Sequence, residues 1–559
     1  VSLQSIYFSS EKADNVKGIG LDIHDVEKLN IINKDEGRLD ICSRAIAKKN
    51  AEGIGINVNG AQTDFDINGD LVVQASGVIR GTEADVSMRA VGFSGENGSS
   101  LIKAESVSYE VRNEDQRVAP TGTLDEVTLG MALNNFAINI LAKKDITISS
   151  SIPKEIKLPG KITAQGMILS NGSKASLQAE GDISILAIVG DPEAHSSAKP
   201  AVRFGPVSGI YAASSELAMQ AGGKIQIGAG IVGFTRDNKL AAINASNSKI
   251  DIKAEQGIQI AAANRDAEGY IQYNNVYAIL ADKQSEVALD GGSSGTSIRG
   301  NVKVLNNSTL KLSGMTSIGG GFMRFAMSGS DLNVDNSTLV VDGFTKISGI
   351  TTLNNAKIYL YDNNNTSEDF HALSIRELNI FGDNELFLRA DSSRPAGGSG
   401  GFGLNSDLIS IGGAIDGNGT FDVNIFDKGM KNGYGMSTDG TKALDNPIIV
   451  LYNRNFTFAD KSLINSVKDM HYDNGIWSYA YKMDAKLDDF DNRKIVIEEV
   501  DVTAAPSASG SQRSLHSANK AAGALAVDVL GGDSALREHL REVREHKDNE
   551  NVWAQYLGG

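Results

Sequence analysis

Asn247-Ser248-Lys249-Ile250-Asp251-Ile252-Lys253-Ala254, then Glu255-Gln256-Gly257, then Ile258-Gln259-Ile260, is the stretch on which the fold turns. Apolar and polar residues alternate in both runs with the period of two that marks a strand buried on one face, and three turn residues separate them. The opening of this stretch, a small polar pair followed by x-apolar-x-apolar, recurs along the chain. It appears at Gly172-Ser173-Lys174-Ala175-Ser176-Leu177, Ser214-Ser215-Glu216-Leu217-Ala218-Met219, Gln284-Ser285-Glu286-Val287-Ala288-Leu289 and Asn307-Ser308-Thr309-Leu310-Lys311-Leu312. It continues at Asn336-Ser337-Thr338-Leu339-Val340-Val341 and, with Ala for Ser, at Asn355-Ala356-Lys357-Ile358-Tyr359-Leu360.

The units lie 19 to 42 residues apart, counted from Ser337 to Ala356 and from Ser173 to Ser215. Such a repeat fits one coil of a parallel β-solenoid, with the longer spacings carrying a surface loop. Three units run on into a second matching strand: Ala175 to Ile185, Leu217 to Ile227 and Ile250 to Ile260. Two strands per repeat with Gly- and Asn-rich corners predict an all-β, right-handed parallel β-helix. Asn and Gly supply the left-handed corner backbone. At ~20 to 25 residues per coil plus loops, this reading expects about 14 to 18 coils and a rod of about 70 to 90 Å.

Composition agrees. Gly is 60 of 559 residues, Pro only 9, Trp only 2 and aromatics 6%, which suits many turns and no large aromatic core, while 41% hydrophobic residues exclude a disordered chain. The net charge of -16 argues against nucleic acid as a partner, because phosphate capture needs surplus Lys and Arg. No run approaches 18 apolar residues, so no transmembrane helix is expected, and the first dozen positions lack a signal-peptide pattern. Cys42 stands alone, which permits no intrachain disulfide.

Beyond residue 443 the pattern changes. Ile448-Ile449-Val450-Leu451, Phe456-Thr457-Phe458, Trp477-Ser478-Tyr479-Ala480-Tyr481 and Lys494-Ile495-Val496-Ile497 read as strands of a denser terminal cap, which a solenoid needs to cover its open edge. An Ala-, Ser- and Gly-rich linker follows, and Asp533 starts a helix with Leu536, Leu540 and Val543 on one face. The expected division is residues 1–50 as first coils or cap, 51–443 as β-helix, 444–502 as cap, 503–532 as linker, and 533–559 as helix and onward strand.

The stretch Ser406-Asp407-Leu408-Ile409-Ser410-Ile411-Gly412-Gly413-Ala414-Ile415-Asp416-Gly417-Asn418-Gly419-Thr420-Phe421-Asp422-Val423 resembles the closing coil before the pertactin-like autochaperone module of type Va autotransporter passengers. The four cap segments then occur in that module's order. Val552-Trp553-Ala554-Gln555 resembles the first strand of the family's outer-membrane translocator barrel. Ile495 and Val496 depart from the family, which has an aromatic in that last strand. The resemblance implies a passenger displayed at, or released from, a bacterial surface, with the barrel of the same precursor as one partner. It makes Trp477, Tyr479, Tyr481, Phe456 and Phe458 the autochaperone core, residues that serve folding and not ligand binding.

Chemistry is sparse. Gly291-Gly292-Ser293-Ser294-Gly295 and Gly397-Gly398-Ser399-Gly400-Gly401 satisfy the nucleophile-elbow spacing, but neither is expected to lead into a helix, and the seven histidines are scattered. His539 and His546 share a helical face among Arg and Glu, and read as solvated; Asp533-Ser534 reads as a helix cap. Asp362-Asn363-Asn364-Asn365 and Gly412-Gly413-Ala414-Ile415-Asp416 lack the repeat of a calcium-binding nonapeptide series, so no cofactor or metal is expected. What remains is binding by surface. Asn247, Asn307, Asn336 and Asn355 form a candidate polar ladder, and the inserts at about 186–213, 264–283 and 391–405 are candidate contact loops. The reading is an adhesin or self-association factor whose partner is a host or bacterial surface protein or glycan, or another copy of itself. The runner-up is an enzyme acting on polysaccharide; Asp251, Glu255, Asp266 and Glu268 are acidic residues near one another in sequence, and the coil register decides which pairs converge.

Overall fold

The computed structural model describes residues 7–505 apart from 10–12, 35–36, 81, 117–121, 153–159, 191–201, 233–239, 266–270, 273–275, 320–329, 362–369, 395–404, 428–439 and 474–477. The helix expected from Asp533, most of the linker and the barrel-like strand lie outside these residues, as do Ser399, Asp266, Glu268, Asp362–Asn365 and, of the candidate contact loops, 191–201, 266–270, 273–275 and 395–404.

Each coil carries three strands and not the two read from the repeat. The first coil is Asn15–His24, Leu29–Asn33 and Leu39–Ala47, and these pair in parallel with Asn50–Asn59, Gln62–Ile67 and Leu71–Ile79 of the second. The solenoid therefore begins inside the 1–50 segment. We call the three sheets face 1, face 2 and face 3 in chain order. The third strand lengthens the coil: Leu39 and Leu451 lie 412 residues and twelve coils apart, about 34 residues per coil. Among the described residues, those thirteen face-3 strands and the short Tyr7–Ser9 strand that pairs with the first of them, spaced ~4.8 Å apart, give a rod of about 62 Å, shorter than expected.

The inward column of face 3 traces the whole rod. Leu39, Leu71, Val107, Ile146, Ile183, Ile225 and Ile258 stack one above the other. Thr296, Thr316 and Thr345 then continue the column before Leu373, Ile409 and Leu451 close it. Nearly all these side chains are buried, as expected of parallel sheets covered on their inner face.

The recurring sequence unit is the start of face 2, in perfect register. Ala175, Leu217, Ile250, Val287, Leu310, Leu339 and Ile358 are consecutive partners, so units found by eye in one dimension stack in three. Face 1 holds a feature that the repeat did not reveal. Gly20, Gly55, Gly92, Gly130, Gly166 and Gly209 occupy one bend on six successive coils, and Ala242 follows. The constraint is space: a Cβ on Gly92 would sit 2.5 Å from Gly130 O, and one on Gly130 would sit 2.5 Å from Gly166 O.

At the C-terminal end pairing turns from parallel to antiparallel. Gly440–Asn453 is both the last face-3 strand, beside Ile409–Ile411, and the antiparallel partner of Lys494–Ala505. The latter pairs with Ser478–Met483, which pairs with Met470–Asp473. This hairpin layer uses up the backbone groups that another parallel coil would have taken.

Candidate interaction surface

The corner between face 1 and face 2 holds the candidate polar ladder. Asn247, Asn307, Asn336 and Asn355 all have positive φ, between 46° and 61°, and all four side chains are exposed. Ser214 and Gln284 take the same corner on intervening coils, Asn171-Gly172, Asn135, Asn97, Gly60 and Asp25 carry it toward the N-terminus, and Gly382 follows Asn355. Asn and Gly are the residues that tolerate this conformation, so the composition of the column is explained by backbone geometry first. The structure joins Asn336 to Asn355 directly, with Asn355 Nδ2 donating to Asn336 Oδ1 at 3.3 Å, and Asn247 Nδ2 donates to Ser214 Oγ at 3.2 Å. Asn307 lies on the coil between Gln284 and Asn336.

Directly beneath runs a second ladder. Ser173, Ser215, Ser248, Ser285, Ser308 and Ser337 are all buried. The N–H groups of Ser215, Ser248, Ser285 and Ser308 donate to the Oγ of the next coil's serine at 3.1 to 3.3 Å. Ser215, Ser248, Ser285 and Ser337 in turn donate Oγ–H to a carbonyl two or three residues back. Where the column reads Ala356, Asn384 Oδ1 of the following coil accepts the Ala356 N–H at 2.9 Å. The polar pair in the motif thus splits its roles, the first residue shaping the corner and the second satisfying buried donors. The Ser fixed at the second position of the repeat unit is the sequence signal for this rung.

On the outer side of face 2, Lys174, Glu216, Lys249 and Glu286 form one column of alternating charge. Lys174 meets Glu216 at 3.1 Å and Lys249 meets Glu286 at 3.5 Å. Such exposed pairs add little stability, so the column matters as a surface. Shallow grooves run beside it. One, of about 1000 Å³, extends over seven coils from Ile32 and Lys34 through Lys103 and Lys143 to Glu180 and Glu255. Another, of about 620 Å³, lies over Leu101, Asn139, Ser176 and Ala218.

The acidic residues weighed for polysaccharide cleavage do not gather among the described residues. Asp251 stands between Ala218 and Ala288 on the adjacent coils and faces Lys253 at 3.7 Å, while Glu255 lies at the end of the long groove. Gly292–Ser294 forms a single 3₁₀ turn. It leads into a strand, and Ser293 Oγ donates to Glu255 O at 3.2 Å. Among the described residues no three His, Cys, Asp or Glu side chains group as metal ligands.

In the cap, Tyr481 and Phe458 are buried, and so are Ile495 and Val496, which stand in the last strand where the family has an aromatic. Phe456 is not a core residue: it is 57% exposed, and 456–458 form an irregular turn instead of a strand. The reason is local, since Asn453 Oδ1 accepts the N–H groups of Asn455 and Phe456 and bends the chain out of the sheet. Tyr479 lies on a cap strand with its backbone opposite Ala504 and Tyr472, and Trp477 lies outside the described residues. Just before the cap, Arg389 and Asp407 form a buried bidentate pair at 3.0 and 3.1 Å. Asp407 also accepts the N–H groups of His371 and Arg389 at 2.7 Å, tying the last coils together.

No family model and no curated relative matches the chain. Among solved structures it is similar to the Haemophilus influenzae Hap adhesin, at 11% identity and a TM-score of 0.26. The match covers 85% of this chain and 57% of the Hap chain, so the chain spans little more than half of that protein's length.

Proposed function

We propose that the rod is an autotransporter passenger that acts at the bacterial surface, or after release, as an adhesin or self-association factor. The observation that carries this reading is the long groove, which crosses seven coils without converging carboxylates and so suits an extended partner more than a small substrate. Many contacts of ~1 kcal/mol or less each, repeated along a rod, supply avidity without a deep pocket. The partner is a surface protein, a glycan or a second copy. In this reading the antiparallel cap is the autochaperone, with Tyr481 and Phe458 in its core.

The test is aggregation and surface attachment of bacteria displaying the full-length protein, against a strain lacking residues 51–405. Clumping or attachment by the full-length strain alone supports the reading, and equal behaviour of both strains overturns it. A quadruple variant, Asn247→Gly, Asn307→Gly, Asn336→Gly and Asn355→Gly, then asks whether the amides take part. Gly keeps the left-handed corner, so the fold survives while the ladder's donors and acceptors go. Reduced attachment with an unchanged melting temperature assigns the ladder to binding.

A further inference from the structure

The outer columns of face 2 change character near the C-terminal end of the rod. Successive coils place Ser176, Ala218, Asp251, Ala288 and Lys311 at one outward position, so the sheet needs no aromatic there. Further along, the same column holds Tyr359 and Phe387, whose rings stack 4.2 Å apart with their planes 5° from parallel. Tyr361 stands at 80° to Tyr359 with ring centres 6.3 Å apart, which makes an aromatic corner. On the next coil Phe426 is paired with Arg389 and is 46% exposed. Tyr359, Tyr361 and Phe387 are half-buried and Phe426 is exposed, so in a chain with only 6% aromatics four rings reach the surface on three successive coils.

The rim is polar and charge-balanced. Lys357 and Lys468 flank Glu385 at 3.1 and 3.7 Å, Arg389 is paired with the buried Asp407, and Asp422 accepts hydrogen bonds from Ser466 and Asn465. Arg389 and Asp407 neutralise each other beneath the surface, and at the rim two cations, Lys357 and Lys468, stand with two carboxylates, Glu385 and Asp422, so these groups carry no surplus charge with which to draw a polyanion. An aromatic corner inside a rim of ammonium, carboxylate and amide groups matches a ligand with an apolar C–H face edged by hydroxyls.

From this we infer that Tyr359, Tyr361, Phe387 and Phe426 form a binding platform for the pyranose rings of a neutral glycan. The inference deepens the adhesin reading by naming a ligand class, at a place separate from the long groove. Tyr359 and Phe387 contact the ring faces or edges of the sugar, and Lys357, Glu385 and Lys468 meet its hydroxyls.

The experiment titrates the full-length chain with cellohexaose, chitohexaose, maltohexaose and a heparin hexasaccharide, using saturation-transfer NMR and calorimetry. Binding of at least one neutral hexaose is expected, with at least a tenfold loss of affinity in Tyr359→Ser/Phe387→Ser and no change in Lys174→Ala/Glu216→Ala. Serine occurs naturally in this column, and Phe426→Ser serves as a second, singly substituted variant should the double variant melt early. Binding of heparin alone, binding of a neutral hexaose that ignores both variants, or no binding overturns the inference. Bacterial attachment measured in parallel separates the two readings. Attachment without glycan binding leaves the adhesin standing and removes the platform, and attachment lost in Tyr359→Ser/Phe387→Ser without glycan binding assigns the patch to a protein partner instead.

Discussion

Replacing Ser285 by Ala takes out one rung of the buried serine ladder. Ser285 Oγ accepts the Ser248 N–H at 3.2 Å and donates to Asp282 O at 2.6 Å. The carbonyl is not stranded by the change, because Asp282 O also accepts the Asn247 N–H at 3.1 Å. The Ser248 N–H, buried at the corner, loses its acceptor, and an unsatisfied buried donor costs about 1–3 kcal/mol. The Ser285 N–H keeps its own acceptor, Ser308 Oγ at 3.1 Å, so a single substitution orphans a single donor. In the double variant Ser285→Ala/Ser308→Ala a second donor is orphaned on the neighbouring coil, and the cost rises to about 2–6 kcal/mol if the rungs act independently. Equilibrium urea unfolding followed by far-ultraviolet circular dichroism reads this as a fall in midpoint at unchanged slope. The position is central, coil eight of thirteen, so fraying at the rod ends does not absorb the loss. The comparison is Asn247→Gly, where relief of the left-handed backbone roughly offsets the added unfolded-state entropy, for a net change within about 0.5 kcal/mol. If Ser285→Ala leaves stability within about 0.5 kcal/mol of the parent while Asn247→Gly lowers it more, the exposed amides and not the buried hydroxyls hold the corner, and the division of roles argued above is wrong.

Two further outcomes follow from other parts of the rod. Gly130→Ala forces a Cβ to 2.5 Å from Gly166 O and from Ile148 Cγ2 and is expected to lower stability by about 1–3 kcal/mol or more. Gly230→Ala has only Ala263 O at 3.9 Å and ordinary φ, and is expected to be neutral or stabilising by up to about 1 kcal/mol; thermal melts that rank the two the other way refute the space argument. In the cap, the hydrogen bonds from Arg493 hold the Asp491 carboxyl down at about 2. A carboxylate with a depressed folded-state pKa stabilises fully above its unfolded value near 4 and loses that contribution as the pH falls toward 2. Asp491→Asn is therefore expected to flatten the acid limb of cap unfolding between about pH 4 and pH 2 without altering its slope near neutrality. An unchanged acid limb in an acid titration followed by tyrosine and tryptophan fluorescence refutes that assignment.

What the sequence made legible was whatever repeats within a single strand. The inward residues and the corner of face 2 sit at fixed offsets inside a six-residue unit, so Ser248-Lys249-Ile250 and Ser308-Thr309-Leu310 align by eye and stack in the structure. Face 1 hid because its strands bend at a glycine and begin after inserts of unequal length, and Gly130 and Gly166 look like any of 60 glycines. Missing a third of each coil gave too many coils and too long a rod. The stack of Thr296, Thr316 and Thr345 hid for a different reason: a buried threonine in a strand pattern reads as an outward polar residue, and only register shows three of them pointing into the core. The surface columns were illegible altogether. Lys174 and Glu216 are 42 residues apart in sequence and 3.1 Å apart in space, and nothing local links them.

That last point bears on where function can reside in such a rod. A coil is held by its inward column, its serine rung and its corner backbone, all of which face away from the outer columns. The outward positions of face 2 are consequently free of the fold's demands, as their range shows: Ser176, Ala218, Asp251 and Lys311 occupy equivalent places without disturbing the stack beneath. An aromatic there is not required by packing, and the inward neighbours of Tyr359 and Phe387, Ile358 and Leu386, are as fully buried as those under Ser176 and Ala218. Two adjacent rungs that both carry a large ring, beside Tyr361 and with Phe426 on the following coil, depart from the rest of the column; the stacked pair adds some cross-strand stability, and Phe426 lies outside that pair. The departure is local to three coils next to the cap, and a ligand that contacts rings across successive rungs is the physical account that uses all four.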